Sequence, residues 1–267
     1  MSDASPAPLS RYTQMLAKGG PLLPETRMLL QSWQPGETSA AFGRRVLRDD
    51  LLGRTTAFRV QNIVRVFSLR FLRPDDTAAR HLKRLLAATA PRQVFNDLVF
   101  YYTARQDDLL RDYTVHRYWP AVRAGTPTIS REDALALIAD AHLDGQIAAP
   151  WSIVVRRKIA GTVLTALTAF GLLEKDRPGQ RRVLPYAPAD GTVLYLAYLL
   201  HGQGVTDAAL AGHPDWALFG LVPREVWHRL EALVAARWLI VQRSGEVVRI
   251  SWSYGSVEEV LDVLVGG

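Results

Sequence analysis

The amino-acid sequence predicts a mainly α-helical protein, in which an N-terminal helical bundle is followed by two winged helix-turn-helix-like units with short β-hairpins. Three observations lead to this fold class. Apolar residues recur at three- and four-residue steps over long stretches, which is the period of an α-helix. A pattern of helix, turn and strand occurs twice in the second half. Hydrophobic residues make up 48% of the 267 positions, which is enough for a sizeable core.

Helices of the N-terminal half are separated by Pro and Gly, which commonly begin or end helices. We expect a disordered lead-in over residues 1–8, because Ser, Ala and Pro dominate there. The helical bundle then covers residues 9–126. Its helices are expected at residues 25–33, 37–50, 55–73, 75–89, 91–105 and 107–123. Aromatic residues of the last two helices, among them Tyr101 and Trp119, are expected mostly in the core, with stacking on nucleic-acid bases as the less common alternative.

The helix expected at residues 55–73 has an apolar face and an arginine-rich face. The polar members of the second face are Arg54, Arg59, Asn62, Arg65, Arg70 and Arg73. Guanidinium groups are well suited to phosphate contacts, although an ordinary solvated helix face has the same composition. We treat Arg54, Arg59 and Arg65 as secondary candidates for nucleic-acid binding.

Residues 152–188 carry the clearest functional pattern in the sequence. A basic triplet opens the stretch, an apolar helical run follows, and a turn with Pro and Gly leads into a short extended segment. A winged helix-turn-helix presents its recognition helix and its wing in this order. We assign this first unit to residues 127–189. The candidate nucleic-acid contacts are the triplet Arg156, Arg157 and Lys158 and the wing residues Arg181 and Arg182.

The same pattern occurs again towards the end of the sequence. Residues 164–173 align with residues 230–239, with Leu over Leu and Ala over Ala, and a turn and a strand follow each segment. We assign the second winged-helix-like unit to residues 190–267. Chance similarity between two amphipathic helices is the alternative explanation of the alignment.

Basic charge is concentrated in two regions of this chain, whose formal net charge is +6. Residues 1–126 contain 19 Lys and Arg against 11 Asp and Glu, whereas residues 127–267 contain 13 against 15. Within the second part, residues 151–182 carry 7 basic and 2 acidic residues, and residues 183–267 carry 5 and 9. The basic stretches suit a polyanion, whereas the acidic C-terminal unit suits a protein partner better.

The sequence shows no motif for catalysis or cofactor binding. It contains no Cys, which excludes disulfides, thiolate zinc sites and iron-sulfur clusters. A phosphate-binding loop, a GxGxxG motif and an HExxH motif are all missing, and the six His residues are scattered. We therefore expect no catalytic residues, no metal and no cofactor, and a binding protein rather than an enzyme.

Neither a secretory signal nor a membrane span is expected. The first residues lack an apolar segment after a basic start. The longest uncharged apolar run covers 15 residues from Ile159 to Leu173, whereas a membrane-spanning helix needs about 20. We expect a cytoplasmic protein that has no membrane partner.

Several segments resemble one protein family. Residues 18–27 read KGGPLLPETR, Trp33 follows, and residues 46–55 read VLRDDLLGRT. Further on, residues 155–158 read VRRK and lead into a helix that ends in Gly-Leu-Leu. In this order, over residues 11 to about 200, the segments resemble the BrxA proteins of bacteriophage exclusion (BREX) systems.

The resemblance implies a small, non-enzymatic component of a phage-defence system, which is expected to bind DNA and whose fold is similar to a helical RNA-binding antitermination factor. Family members are shorter, so residues beyond about 200 are expected to be an extension. We predict binding of double-stranded DNA, mainly through backbone phosphates. The alternatives are an RNA-binding antitermination-like protein, and a scaffold that contacts other BREX proteins through the helical half or the acidic C-terminal unit.

Overall fold

A computed structural model describes residues 11–53, 56–87, 91–147, 149–234, 237–244 and 247–266. Over these residues the protein is mainly α-helical, with two small antiparallel sheets, which confirms the predicted fold class. The expected lead-in at residues 1–8 and the candidate contact Arg54 lie outside the described residues.

Helices build the N-terminal half. They are α1 (Met15–Gly19), α2 (Leu23–Ser32), α3 (Ser39–Arg48), α4 (Ala57–Phe71), α5 (Thr77–Ala87) and α6 (Arg92–Arg105). The next helix, α7 (Asp108–Tyr113), continues through a π-helical turn at Thr114–Tyr118 into α8 (Trp119–Arg123). The predicted helices are thus present with small shifts at their ends, whereas the short α1 was not predicted.

Side-chain caps determine where several of these helices begin. The hydroxyl of Thr38 precedes α3 and accepts a hydrogen bond at 3.2 Å from the backbone N–H three residues on. Thr56 before α4 and Asp107 before α7 accept equivalent bonds at 3.3 and 3.0 Å. Each cap satisfies a backbone donor that has no partner within the helix. The caps explain why α3 and α4 begin two residues later than the sequence pattern predicts.

The second half combines helices with the two sheets. Its elements are β1 (Thr128–Ser130), α9 (Arg131–Leu143), α10 (Ile153–Ala169), β2 (Leu173–Lys175), β3 (Gln180–Val183), α11 (Asp190–Gly202), α12 (Asp207–Leu210), α13 (Pro223–Leu233), β4 (Leu239–Ser244), β5 (Val247–Trp252) and α14 (Val257–Gly266). A 3-10 helix at Pro214–Phe219 precedes α13. The first sheet is antiparallel with strand order β1-β3-β2, and β4 pairs with β5 in a hairpin. Three-residue β1 is too short to show an alternating pattern, and the sequence did not predict it.

Helix α6 lies at the centre of the protein. It packs against α4, α5, α7 and α11, and its residues from Leu98 to Tyr101 are fully buried. Tyr113, Tyr118 and Trp119 are also buried. The prediction that these aromatic residues belong to the core is confirmed, and stacking on bases would require the core to open.

A buried carboxylate connects α6 to the segment that leads into α11. Asp97 accepts hydrogen bonds from the Tyr186 hydroxyl at 2.6 Å, the Thr192 hydroxyl at 2.7 Å and the Ala189 backbone N–H at 2.9 Å. Burial raises the pKa of Asp97, and the three donors act against that shift. The carboxylate therefore fixes the chain where it enters α11.

Candidate nucleic-acid interface

Helix α10 packs against α9 with one face and leaves its first turns exposed. The buried face consists of the residues that the sequence predicts, namely Ile159, Val163, Ala166, Leu167 and Phe170, all at most 5% exposed. Before the helix, the Ser152 hydroxyl accepts a hydrogen bond from the Val155 N–H at 3.3 Å. In the first turn, Ile153 and Val154 are 52% and 72% exposed. The N-terminal end of α10, where the helix dipole is positive, is therefore accessible.

The basic triplet follows directly on this exposed turn. Arg157 and Lys158 are exposed, and neither side chain has a hydrogen bond or an ion pair with any described residue. Arg156 is half-buried, and its Nε donates to the carbonyl oxygen of Trp151 at 3.0 Å. Within the described ranges no carboxylate pairs with these three cations, so their charge is available to an external anion.

The β2–β3 hairpin carries the predicted wing residues, but they are less free than the triplet. Arg182 donates through Nε to Glu174 Oε2 at 3.1 Å across the hairpin, and this bond raises the pKa of Arg182. Arg181 is half-buried, and its Nη1 donates to the carbonyl oxygen of Gln180 at 2.8 Å. Its buried Nε has no partner among the residues that the structure describes. Glu174 therefore neutralises part of the charge that the sequence assigned to this hairpin.

Three further cations near α10 were not singled out from the sequence. Lys175 and Arg177 are exposed in β2 and the following turn, and their side chains have no partner in the described part of the chain. Arg131 begins α9, and its Nε lies 4.0 Å from the position that a Cβ at Gly161 of α10 would occupy. The sequence did not indicate Arg131 as a candidate contact, because two acidic residues follow it. Strand pairing brings it to this surface, since its N–H donates to the carbonyl oxygen of Gly179 at 2.9 Å.

The secondary candidates Arg59 and Arg65 are exposed on α4. Arg70, on the same predicted face, is only 5% exposed, and its Nη2 donates to the carbonyl oxygen of Gly20 at 2.8 Å. Burial lowers the pKa of Arg70 to about 10. The interpretation of Arg70 as a surface cation was wrong, because the segment around Gly20 covers this part of α4.

Two arginines of the C-terminal unit are engaged internally. Arg229 of α13 donates to the carbonyl oxygen of Pro188 at 2.7 Å and to Asp190 at 2.8 Å. Arg243 of β4 donates to Glu231 at 3.1 Å. Both arginines therefore have internal partners, unlike the free cations of the basic triplet.

Among the described residues, no cluster of three or more His, Asp or Glu side chains is arranged to hold a metal ion. None of the helices in these described residues has the length and apolar character that a membrane crossing needs.

Comparison with protein families gives a match to the BrxA model over residues 10–197. The chain belongs to the BrxA family. This membership confirms the resemblance seen in the sequence and indicates a component of a BREX phage-defence system. The match ends within α11, so most of the C-terminal unit lies beyond it.

The solved structures include a related fold, and the curated proteins gave no match. The similar structure is the crystal structure of an uncharacterized protein from Magnetospirillum magneticum, which is 16% identical in sequence with a TM-score of 0.60. The alignment covers 73% of this chain and 94% of the other. At this level of identity the similarity shows the fold alone.

Proposed function

We propose that this BrxA-family protein binds double-stranded DNA through α10 and the β2–β3 hairpin, as a non-enzymatic component of BREX phage defence. The observation that carries the proposal is the exposure of Arg157 and Lys158, without carboxylate partners among the described residues, beside an accessible helix N-terminus. Backbone phosphates need this kind of unpaired cation, because binding gains free energy from the counterions that it releases.

The order of the surrounding elements supports the proposal. A strand, two packed helices and an antiparallel hairpin follow one another, and the first strand joins the hairpin in the order β1-β3-β2. A winged helix-turn-helix has this arrangement, with its second helix in the major groove and its hairpin on the backbone. In that geometry α10 is the recognition helix.

The residues of the interface differ in the contacts they are suited to make. Arg157, Lys158, Lys175 and Arg177 carry free charges for phosphates, and Arg156, Arg131, Arg181 and Arg182 flank them. The exposed Ile153 and Val154 are suited to apolar contact with sugars or with the methyl group of thymine. Arg59 and Arg65 of α4 remain secondary phosphate contacts. Other BREX proteins are proposed to contact the helical half or the acidic C-terminal unit.

A triple substitution tests the interface. Replacing Arg156, Arg157 and Lys158 by Ala should weaken duplex binding at least tenfold at about 100 mM salt, and should lower the slope of log affinity against log salt by about 3. Helix α10 should stay folded, because Ala has the highest helix propensity. A gel-shift or fluorescence-anisotropy titration measures both quantities.

The matched control replaces three ion-paired arginines elsewhere, namely Arg48, Arg80 and Arg117. It removes the same charge and should change affinity far less. Equal losses in the two variants, or no loss in the first, would refute the assignment to α10. Competition between duplex DNA and RNA decides between the DNA reading and the antitermination-like alternative.

A further inference from the structure

We propose that the cleft between α3 and α4 is a binding site for a nucleoside phosphate. The cleft has a volume of about 480 Å³ and lies between two helices of the N-terminal half. This volume is in the range of ordinary small-molecule sites, which is roughly 300–1,000 Å³. Only Arg65, a secondary candidate for the duplex, is shared with the proposed DNA interface on α10 and its hairpin, so the inference goes beyond the proposed duplex binding.

Three arginines line the cleft, namely Arg44 of α3, Arg65 of α4 and Arg73 just after α4. All three are exposed, and none of them has a hydrogen bond or an ion pair within the described part of the protein. The described lining contains no Asp or Glu. The cleft therefore holds three positive charges without a compensating carboxylate, which favours a ligand with several negative oxygens.

The other two arginines of α3 are ion-paired, unlike the arginine of this helix that lines the cleft. Arg45 forms an ion pair with Glu37 at 2.6 Å, and Arg48 forms one with Asp49 at 2.7 Å. Neither of these two arginines lines the cleft. Arg44 of the same helix does line the cleft, and it has no acidic partner among the described residues.

A buried hydroxyl also lines the cleft. Ser68 of α4 is 5% exposed, and its Oγ is buried without a hydrogen-bond partner among the described residues. Buried polar groups are nearly always hydrogen-bonded, and a helical Ser commonly donates to the carbonyl oxygen four residues earlier. A ligand oxygen in the cleft would supply the missing partner.

Apolar side chains complete the walls and restrict the kind of ligand. Leu47, Val64 and Leu69 line the cleft, and Gly43 of α3 faces Val64 without a side chain between them. Inorganic phosphate would make no favourable contact with this apolar surface, and the cleft is small for an acidic peptide. A nucleoside phosphate combines a flat, weakly polar base with negative oxygens, and guanidinium groups both stack on such rings and bind such oxygens.

Calorimetric titration of the full-length protein tests the site with ATP, AMP, adenosine and pyrophosphate as separate probes. We expect ATP to bind at least tenfold more tightly than either adenosine or pyrophosphate. Arg44→Ala and Arg65→Ala should each lower ATP affinity about tenfold, because each removes a charge-assisted hydrogen bond. The matched control Arg48→Ala, whose arginine is ion-paired outside the cleft, should change it less than about twofold.

The source of the nucleoside phosphate is decided by a second titration with a short single-stranded oligonucleotide, with and without a 5′-phosphate. Preference for the 5′-phosphorylated strand over ATP, with the same sensitivity to Arg44→Ala, identifies a strand end as the ligand. Preference for ATP identifies a free nucleotide. No binding of any nucleotide, equal loss in Arg48→Ala and Arg44→Ala, or preference for an acidic peptide would overturn the proposal. The triple variant in α10 should retain ATP binding, so this proposal and the duplex proposal fail separately.

Discussion

The guanidinium group of Arg70 donates a hydrogen bond to the carbonyl oxygen of Gly20 at 2.8 Å, from a helix position 50 residues further along the chain. Gly20 has a backbone φ of 67°, a conformation that Gly adopts without strain. The bond joins α4 to the Gly-Gly-Pro-Leu-Leu-Pro segment, which is the most distinctive part of the family resemblance. This segment therefore has a structural role, since its carbonyl oxygens accept hydrogen bonds from the buried guanidinium group of Arg70.

Replacing Arg70 by Ala should lower the free energy of unfolding by about 3 kcal/mol, because it removes a charge-assisted bond of a buried guanidinium and leaves a half-buried carbonyl oxygen without its donor. Urea unfolding of the full chain measures the change. Arg59→Ala on the same helix is the control, and it should stay within about 0.5 kcal/mol, because Arg59 is exposed. Similar losses in the two variants would contradict the structural role of Arg70.

Gly19 is required by close packing. A Cβ at this position would lie 2.7 Å from Val66 Cγ1, which is closer than carbon atoms approach. We expect Gly19→Ala to destabilise the protein by about 1–3 kcal/mol through overpacking. In the background of Val66→Ala the same substitution should cost less, and a double-mutant cycle from thermal unfolding measures this coupling. Additive effects of the two substitutions would show that the contact with Val66 is not what excludes a side chain at position 19.

Glu174 should weaken DNA binding, because its carboxylate forms an ion pair with Arg182. Glu174→Gln removes one negative charge from the β2–β3 hairpin and releases the guanidinium. We expect duplex affinity to rise several-fold, and the salt dependence to become steeper by about one unit of slope. Glu231→Gln, which releases Arg243 in the C-terminal unit, is the matched control and should leave affinity unchanged. A gain in the control but not in Glu174→Gln would assign the duplex contact to the C-terminal unit instead.

His81 should make folding sensitive to acid. Its Nδ1 lies 2.7 Å from the Tyr195 hydroxyl, and its Nε2 lies 3.2 Å from Glu258 Oε1 of α14. Burial lowers the pKa of His81 below 6.5, although the nearby carboxylate acts in the opposite direction. The hydrogen bond from His81 lowers the pKa of Glu258 below 4.5. In both cases the unfolded chain binds protons more readily, so stability is present at neutral pH and declines as the pH falls below 6.5.

Thermal unfolding from about pH 8 to about pH 3 measures this decline. His81→Gln keeps a hydrogen-bonding side chain but cannot titrate, so its melting temperature should fall less over the same range. An unchanged pH dependence in the variant would show that other groups cause the acid sensitivity. Glu258→Gln should reduce the part of the decline that occurs below pH 4.5.

The helices and the main candidate helix were predictable because their signals are local. Helical periodicity and the Pro and Gly residues between helices come from neighbouring positions, and α4, α6 and α10 accordingly match their predictions within a few residues. The exposure of Arg157 and Lys158 on α10 was predictable for the same reason, since the buried face of this helix is defined by three- and four-residue steps. Strand β1 has three residues and becomes recognisable only through its pairing with β3.

The sequence by itself determined the fold class, the family and the basic start of α10, because each of these depends on residues that are close together in the chain. The tertiary structure decided which cations are free. Arg70 and Arg65 are five positions apart on one helix, yet the segment at Gly20 buries the first and leaves the second on a cleft. Arg182 and Arg157 have the same side chain, yet strand pairing gives only the first a carboxylate. The sequence specifies the charge of a side chain, but its partners are residues that only folding brings within hydrogen-bonding distance.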